Sequence, residues 1–173
     1  MSMEFIATQT STGDDFTEFT FDDAVDFDDY SEMYCTFSLG TGGSRDLLVR
    51  FGDSGESGVL TTSTYSLITS NINAGALSTG SAVTGEPSLY IATHPVIDSE
   101  EGIAGSVRIY LNRDSSGVTR LSLLSTNEGK DALFITTGYN TTTQDDLKYF
   151  RLYVNSDDLI SGSNVTCYKM KRS

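Results

Sequence analysis

Apolar and polar residues alternate through the C-terminal stretch of the chain, residues 139–171. In its first arm, one side of the extended chain carries Lys148, Phe150, Leu152 and Val154, and the other side carries Tyr149, Arg151, Tyr153 and Asn155. A period of two predicts a β-strand with one buried face. Residues 155–163 are rich in Ser, Asp and Gly and predict a turn. Alternation then resumes around Val165 and Cys167, so we expect a final strand that ties down the end of the chain.

The same alternation predicts strands along the rest of the chain. The clearest lie at 31–39, where Met33, Cys35, Phe37 and Leu39 share one side, and at 47–51. Further strands are predicted at 15–21, 61–69, 88–93, 107–111, 118–125 and 132–137, with 107–125 forming a hairpin. Residues 71–86 carry no such pattern and predict a long loop, and 94–105 predict a turn. Strands at intervals of about ten residues are typical of an all-β sandwich or barrel.

The length of 173 residues indicates one domain, large enough to bury about 70% of the surface of its unfolded chain. Residues 1–14 are polar and are predicted to form an N-terminal arm, with the β-domain at 15–173. The arm holds little apolar material beyond Phe5 and Ile6, too little to offset the entropy of ordering it. We therefore expect the arm to pack poorly on its own domain and to contact a partner chain.

Charge and hydropathy restrict the partners. The net charge of −13 disfavours a nucleic-acid partner, because a phosphate backbone is bound by clustered Lys and Arg. No apolar run approaches the roughly 20 residues of a membrane helix, so no membrane partner is predicted. The first five residues contain no basic region followed by an apolar run, which predicts no signal peptide and folding in a cytoplasm.

Several segments resemble small jelly-roll structural proteins of tailed-bacteriophage virions. The segment from Phe150 to Tyr168 is similar to their closing hairpin. The aromatic start of the strand at 30–37, the phrase LLVRFGDSG at 47–55 and GYNTT at 138–142 are similar to other parts of the same proteins. The resemblance implies a single-domain antiparallel β-sandwich of jelly-roll type on the surface of a virus particle. It implies no catalytic residue.

Residues suited to catalysis or metal binding are few. His94 is the single histidine, and no nucleophile motif such as G-x-S-x-G accompanies it, so we interpret it as a turn residue. Cys35, Cys167 and His94 lack the short spacing of zinc ligands. An acidic run, Asp22, Asp23, Asp26, Asp28 and Asp29, offers oxygen ligands for calcium but lacks the Gly and terminal Glu of an EF-hand loop. A solvated acidic face is the favoured interpretation, and no catalytic residue, cofactor or metal site is predicted.

Three functional hypotheses follow. The first is a non-enzymatic capsid decoration (cement) protein, assembled in the host cytoplasm into the virion, with the major capsid protein or another virion protein as its partner. The second is a tail-fibre or receptor-binding appendage of the same particle. The third is a carbohydrate-binding module or glycosidase, in which Tyr65, Tyr90 and Tyr110 would replace the absent tryptophans. Closed symmetry is the norm for assemblies, and the resemblance points to three-fold sites, so we expect a homotrimer.

The two cysteines give a specific structural expectation. In a jelly roll, an early strand of the first hairpin pairs with the final strand, so Cys35 and Cys167 are expected on neighbouring strands, facing the core. Adjacent strands lie about 4.8 Å apart, close enough for a disulfide if the two residues are in register. Assembly in a reducing cytoplasm favours the reduced, buried pair over the bond.

Overall fold

The computed structural model describes residues 2–12, 18–22, 30–40, 45–52, 65–73, 76–86, 88–97, 102–113, 119–129, 132–140, 149–154 and 161–171. These residues form the strands β1 (Met3–Thr10), β2 (Glu18–Asp22), β3 (Tyr30–Leu39), β4 (Arg45–Gly52), β5 (Tyr65–Asn73), β6 (Ala76–Glu86), β7 (Leu89–Ile97), β8 (Ile103–Arg113), β9 (Thr119–Gly129), β10 (Ala132–Asn140), β11 (Tyr149–Val154) and β12 (Asn164–Lys171). No helix occurs among the described residues, so none there could span a membrane.

The strands form two antiparallel sheets. The larger sheet has the order β1-β12-β3-β8-β9-β10-β5-β6, and the smaller has the order β2-β11-β4-β7. Successive strands alternate between the sheets, except for β5–β6 and the run β8–β9–β10, all of which lie in the larger sheet. The hairpins β5–β6 and β9–β10 extend this sheet beyond β8. Without those hairpins, two interleaved sheets of four strands remain, which is jelly-roll topology. The predicted all-β jelly-roll sandwich is therefore confirmed.

The inward-facing residues of the two sheets form one core. It comprises Phe19, Phe21, Met33, Cys35, Phe37, Leu39, Leu47, Val49, Phe51, Leu89, Ile91, Ile103, Val107, Ile109, Phe150, Leu152, Val154, Val165 and Cys167. Most of these alternate with polar residues along their strands, as the sequence predicts for β3, β4 and β12. β11 differs, because Tyr149 and Tyr153 on its other side are buried as well. The prediction of a single buried face is therefore wrong for this strand.

The N-terminus differs from the expected arm. Residues 3–10 form β1, which pairs with β12 at one edge of the larger sheet. Ile6 and Ala7 pack against the core, while Met3 and Phe5 are exposed. Backbone hydrogen bonds to β12, rather than apolar content, hold this segment in place. Amino-acid composition alone does not predict such bonds. The expectation of poor packing is corrected for these residues, whereas contact with a partner chain stays a prediction.

Two segments expected to be irregular are strands. Residues 71–86 contribute the end of β5 and all of β6, a hairpin whose small polar residues give no alternation in sequence. β7 continues through Pro95 to Ile97, although a turn was predicted from His94. Proline has no amide hydrogen to donate, and β7 is the edge strand of the smaller sheet, where that loss is tolerated. Parts of the predicted elements lie outside the described residues, namely residues 15–17, 61–64, 98–101, 118 and 155–160.

Side chains close the sandwich at its edge and at one end. The Gln9 amide donates to the Thr20 carbonyl at 2.6 Å and accepts from the Thr20 amide at 3.1 Å, so it joins the edge strands of the two sheets. At the end of β3, the buried Ser163 hydroxyl accepts from the Gly40 amide at 3.0 Å and donates to the Gly40 carbonyl at 3.2 Å. The Ser11 amide donates to the Ser163 carbonyl, which links β1 to the start of β12.

Cys35 and Cys167 face each other across β3 and β12. They are direct register partners, both fully buried, and their Cα atoms lie 4.2 Å apart. The prediction that they lie on neighbouring strands and face the core is confirmed. The preference for the reduced pair is wrong, because the two residues form a disulfide. The bond spans 132 residues of sequence and fixes the final strand to the third.

Replacing Gly102 with Ala should destabilise the fold more than replacing Gly162. Both glycines have positive φ, +65° and +93°, so a side chain costs about 1–2 kcal/mol at either position. A Cβ at Gly102 would also overlap the Leu39 carbonyl oxygen, whereas a Cβ at Gly162 meets no atom within 4 Å. Urea unfolding should show a larger loss of unfolding free energy for Gly102→Ala. Equal losses of unfolding free energy in the two variants would contradict the close approach of Gly102 to the Leu39 carbonyl oxygen.

Removing the disulfide with Cys35→Ala and Cys167→Ala together should cost about 5 kcal/mol, the entropic estimate for a loop of this length. Urea unfolding of the oxidised wild type and of the double variant measures the difference. Thiol titration of the wild type in denaturant without reductant should find no free thiol. Two titratable thiols would show that the bond is absent.

Candidate functional site

The outer side of the larger sheet carries the most distinctive surface among the described residues. Because the core residues of β3, β8 and β12 point inward, the residues between them point outward. The described residues of this outer face are Met3, Phe5, Thr8, Thr10, Glu32, Tyr34, Thr36, Ser38, Ala104, Ser106, Arg108, Tyr110, Leu133, Ile135, Thr137, Tyr139, Asn164, Thr166, Tyr168 and Met170. We call this surface the outer face.

Strand register divides the outer face into two halves. One row runs across four strands from Phe5 through Tyr168 and Tyr34 to Arg108, each residue opposite the next. The row beside it brings Tyr110 and Tyr139 to the same half, each opposite Ser122 of β9. These rows form the aromatic half. The neighbouring rows carry Thr8, Thr166, Thr36 and Ser106, and then Thr10, Asn164 and Ser38, and form the hydroxyl half.

Aromatic contacts hold the first row together. The rings of Phe5 and Tyr168 meet edge to face, with centroids 5.9 Å apart and planes at 66°. The Arg108 guanidinium lies 5.6 Å from the centroid of Tyr34, a cation–π distance. Phe5 is 58% exposed and Tyr139 is 44% exposed, so the half presents large apolar groups to solvent. Exposed aromatic rings on one sheet face are more typical of binding surfaces than of free ones.

Arg108 and Glu32 are the charged groups among the described side chains of the outer face. Their charged atoms lie 3.5 Å apart, so the pair contributes no net charge. The hydrogen bond with Tyr110 raises the pKa of Arg108, burial opposes this rise, and the nearby Glu32 carboxylate adds to it. The guanidinium is therefore charged throughout the range in which the protein is handled. The described side chains of the outer face therefore carry no net charge, although the whole chain carries −13.

The hydroxyl half is polar but uncharged in its described side chains. The Thr8 and Thr166 hydroxyls share a hydrogen bond of 2.8 Å across β1 and β12. Thr36 and Ser106 continue the same row on β3 and β8. Such hydroxyls donate and accept with little cost of reorientation, which suits the rim of a protein contact.

The outer side of the smaller sheet is organised differently. Its arginines, Arg50 and Arg151, lie opposite each other on β4 and β11, with both guanidinium groups over the Tyr153 ring at 5.0 and 4.7 Å. Arg50 Nε donates to the Ser88 hydroxyl at 2.8 Å, and that hydroxyl lies 2.6 Å from the Tyr153 hydroxyl. Arg151 pairs with Glu18. The charged groups of this side thus bind one another, which identifies a structural network.

A shallow cleft of about 370 Å³ lies where the sheets meet, between β1 and β2. It is lined by Gln9, Thr10, Glu18 and Thr20. Thr20 donates to Glu18 at 3.2 Å, and Gln9 is held by both backbone groups of Thr20. The lining groups thus bond to each other rather than converging on the cleft.

The residues considered for chemistry in the sequence do not come together in the described part of the chain. Cys35 and Cys167 are consumed by the disulfide. Residues 23–29 of the acidic run and the side chains of Asp22 and His94 lie outside the described residues. Within those residues, no three His, Cys, Asp or Glu side chains form a possible metal site. Tyr90 and Tyr110 occupy different sheets, and the side chain of Tyr65 is outside the described part, so these tyrosines form no common platform there.

The sequence drew attention to Phe5 and Tyr110 for other reasons, and it did not predict the outer face as one surface. Alternation assigns Tyr34 and Tyr168 to the side of their strands away from the core, but it does not make them neighbours. That contact depends on the register of β3 with β12, which are more than a hundred residues apart in sequence. The one available signal was the unusual presence of tyrosines at outward positions of several strands.

Replacing the buried Ser88 with Ala should destabilise the protein by about 1–3 kcal/mol, because Arg50 Nε and the Tyr153 hydroxyl both lose a partner in a buried setting. Ser38→Ala is the matched control, since Ser38 is exposed on the outer face. Urea unfolding of both variants makes the comparison. If Ser88→Ala loses no more unfolding free energy than Ser38→Ala, the network does not stabilise the smaller sheet.

Comparison with known proteins adds no family to these observations. No family model matches the chain, and no curated protein sequence matches it. The role of the outer face is therefore inferred from its own residues and geometry.

Proposed function

We propose that this chain is a non-enzymatic structural protein of the surface of a tailed-phage virion. In this proposal it is a capsid decoration protein that stabilises contacts between shell subunits, with the major capsid protein as its partner. The observation that carries the proposal is the outer face, a wide surface built for contact with protein. The jelly-roll sandwich and the sequence resemblance supply the virion context.

The composition of the outer face favours a protein partner. Protein interfaces are enriched in Tyr, Phe, Met and Arg at their centre and depleted of Lys, Glu and Asp. The aromatic half has four tyrosines, a phenylalanine and an arginine, and its carboxylate is already paired to that arginine. The hydroxyl half adds polar groups beside this centre, as an interface rim does.

The disulfide supports a location outside the cytosol in the mature state. Disulfides persist in oxidising surroundings, including virion surfaces, and are rare in a reducing cytosol. Cys35 and Cys167 are fully buried, so reductants reach the bond only when β3 or β12 opens. A particle protein is first assembled in the reducing cytoplasm and is then released by lysis into oxidising surroundings, where a disulfide persists.

The outer face is poorly suited to a sugar chain. A polysaccharide binds best on aromatic rings that share a plane, but the planes of Phe5 and Tyr168 differ by 66°. The guanidinium of Arg108 already covers the ring of Tyr34. These contacts favour a protein-binding role over a carbohydrate-binding module. They do not distinguish a shell protein from a tail appendage.

Counting copies of the protein in purified particles tests the proposal. Quantitative mass spectrometry against the major capsid protein should give hundreds of copies for a shell decoration protein. A few to dozens of copies would assign the protein to the tail, the second hypothesis. Absence from particles that contain all other structural proteins would overturn the virion role.

A further inference from the structure

We infer that the outer face is the contact between copies of this chain, with the aromatic half at the centre of the interface. The inference rests on the proposed function, because it takes the outer face to be a protein-binding surface. It names a second copy of the chain as the protein that binds there. The homotrimer expected from sequence would form through unlike parts of this face, because a face that meets itself closes a two-fold pair. With copies on the outer face, the shell contacts other surfaces of the sandwich, and the outer face supports the virion proposal as the contact that assembles the decorating oligomer.

Charge selects a second copy over an acidic or basic partner. Two chains of net charge −13 repel each other, so a contact between copies is favoured only where the surface carries no excess negative charge. The described side chains of the outer face meet this condition, because Arg108 and Glu32 neutralise each other. A basic partner would be recognised by unpaired carboxylates, which the described part of this face does not present.

The size of the outer face suits a stable contact. The larger sheet has eight strands of 8–11 residues. At about 4.8 Å between strands and about 3.3 Å per residue, the face covers roughly 1,000 Å². A standard protein interface buries about 800 Å² on each partner. The hairpins β5–β6 and β9–β10 account for half of this width.

The arrangement of side chains agrees with an interface centre and rim. Tyr and Arg are the residues that most often dominate binding energy, and they do so where neighbouring groups exclude water. Tyr34 and Tyr168 lie side by side between Phe5 and Arg108, in the middle of that row. The hydroxyl half flanks them on one side. Covering the exposed Phe5, Ile135 and Tyr139 in a second copy removes apolar surface from water.

The experiment uses the full-length protein and measures mass in solution. Sedimentation velocity and light scattering over a range of protein and NaCl concentrations should give an oligomer, a trimer having three times the 18.7 kDa of the chain. Association should strengthen as NaCl rises, because salt screens the repulsion between acidic chains while an apolar contact persists. A contact made by ion pairs would weaken instead, and that result would overturn the apolar interface.

Two variants place a charge on the outer face without touching the core. Phe5→Glu and Tyr139→Glu alter exposed side chains, so both should fold, which circular dichroism and urea unfolding verify. Each should weaken self-association about tenfold or more, because it buries an unpaired carboxylate in an apolar contact. Ser161→Glu is the matched control, because it adds the same charge at an exposed turn position that is not among the residues of the outer face. It should associate like the wild type.

The outcomes separate this inference from the proposed function. A wild-type monomer at all concentrations, or equal weakening by Ser161→Glu, overturns the inference even if the protein is abundant on particles. An oligomer that the two face variants disrupt supports the inference even if particles lack the protein, a result that would end the virion proposal alone. Specific binding of a polysaccharide by a monomeric wild type, lost in the face variants, would assign the face to a sugar.

Discussion

The insertion of β12 between β1 and β3 is the constraint on which the rest of the structure depends. The last strand must enter the larger sheet before β1 has a partner, and it must meet a strand that lies more than a hundred residues earlier. Closing so long a loop loses chain entropy before stabilising contacts form. Proteins with such non-local strand pairing therefore fold slowly. The buried Cys35–Cys167 bond makes this one pairing permanent.

The same pairing sets both surfaces of the larger sheet. A slip of one residue would exchange the inward and outward side chains of β12, moving Val165 to solvent and Tyr168 to the core. Since the disulfide lies on the inward side and holds Cys167 opposite Cys35, it also holds Tyr168 opposite Tyr34 on the outward side. The bond that stabilises the core therefore aligns the aromatic row of the outer face.

The two sheets differ in how their outer sides use charged and aromatic groups. The smaller sheet uses the charged and polar groups on its outer side internally, through the contacts of Tyr153 with Arg50, Arg151 and Ser88. Among its described outward side chains, the larger sheet leaves aromatic rings exposed and pairs Arg108 with Glu32. This contrast is the reason for proposing a protein contact on the outer face.

The sequence by itself determined the elements that have a buried face. Alternation identifies β3, β4, β11 and β12, and the jelly-roll class places Cys35 beside Cys167. Only the tertiary structure decided the rest. β1 is held by backbone bonds to β12, and the β5–β6 hairpin consists of small polar residues, so neither leaves an apolar signal. Whether two outward tyrosines touch depends on the register of strands that are distant in sequence. A pattern along one strand contains no information about that register, because pairing energy belongs to two strands at once.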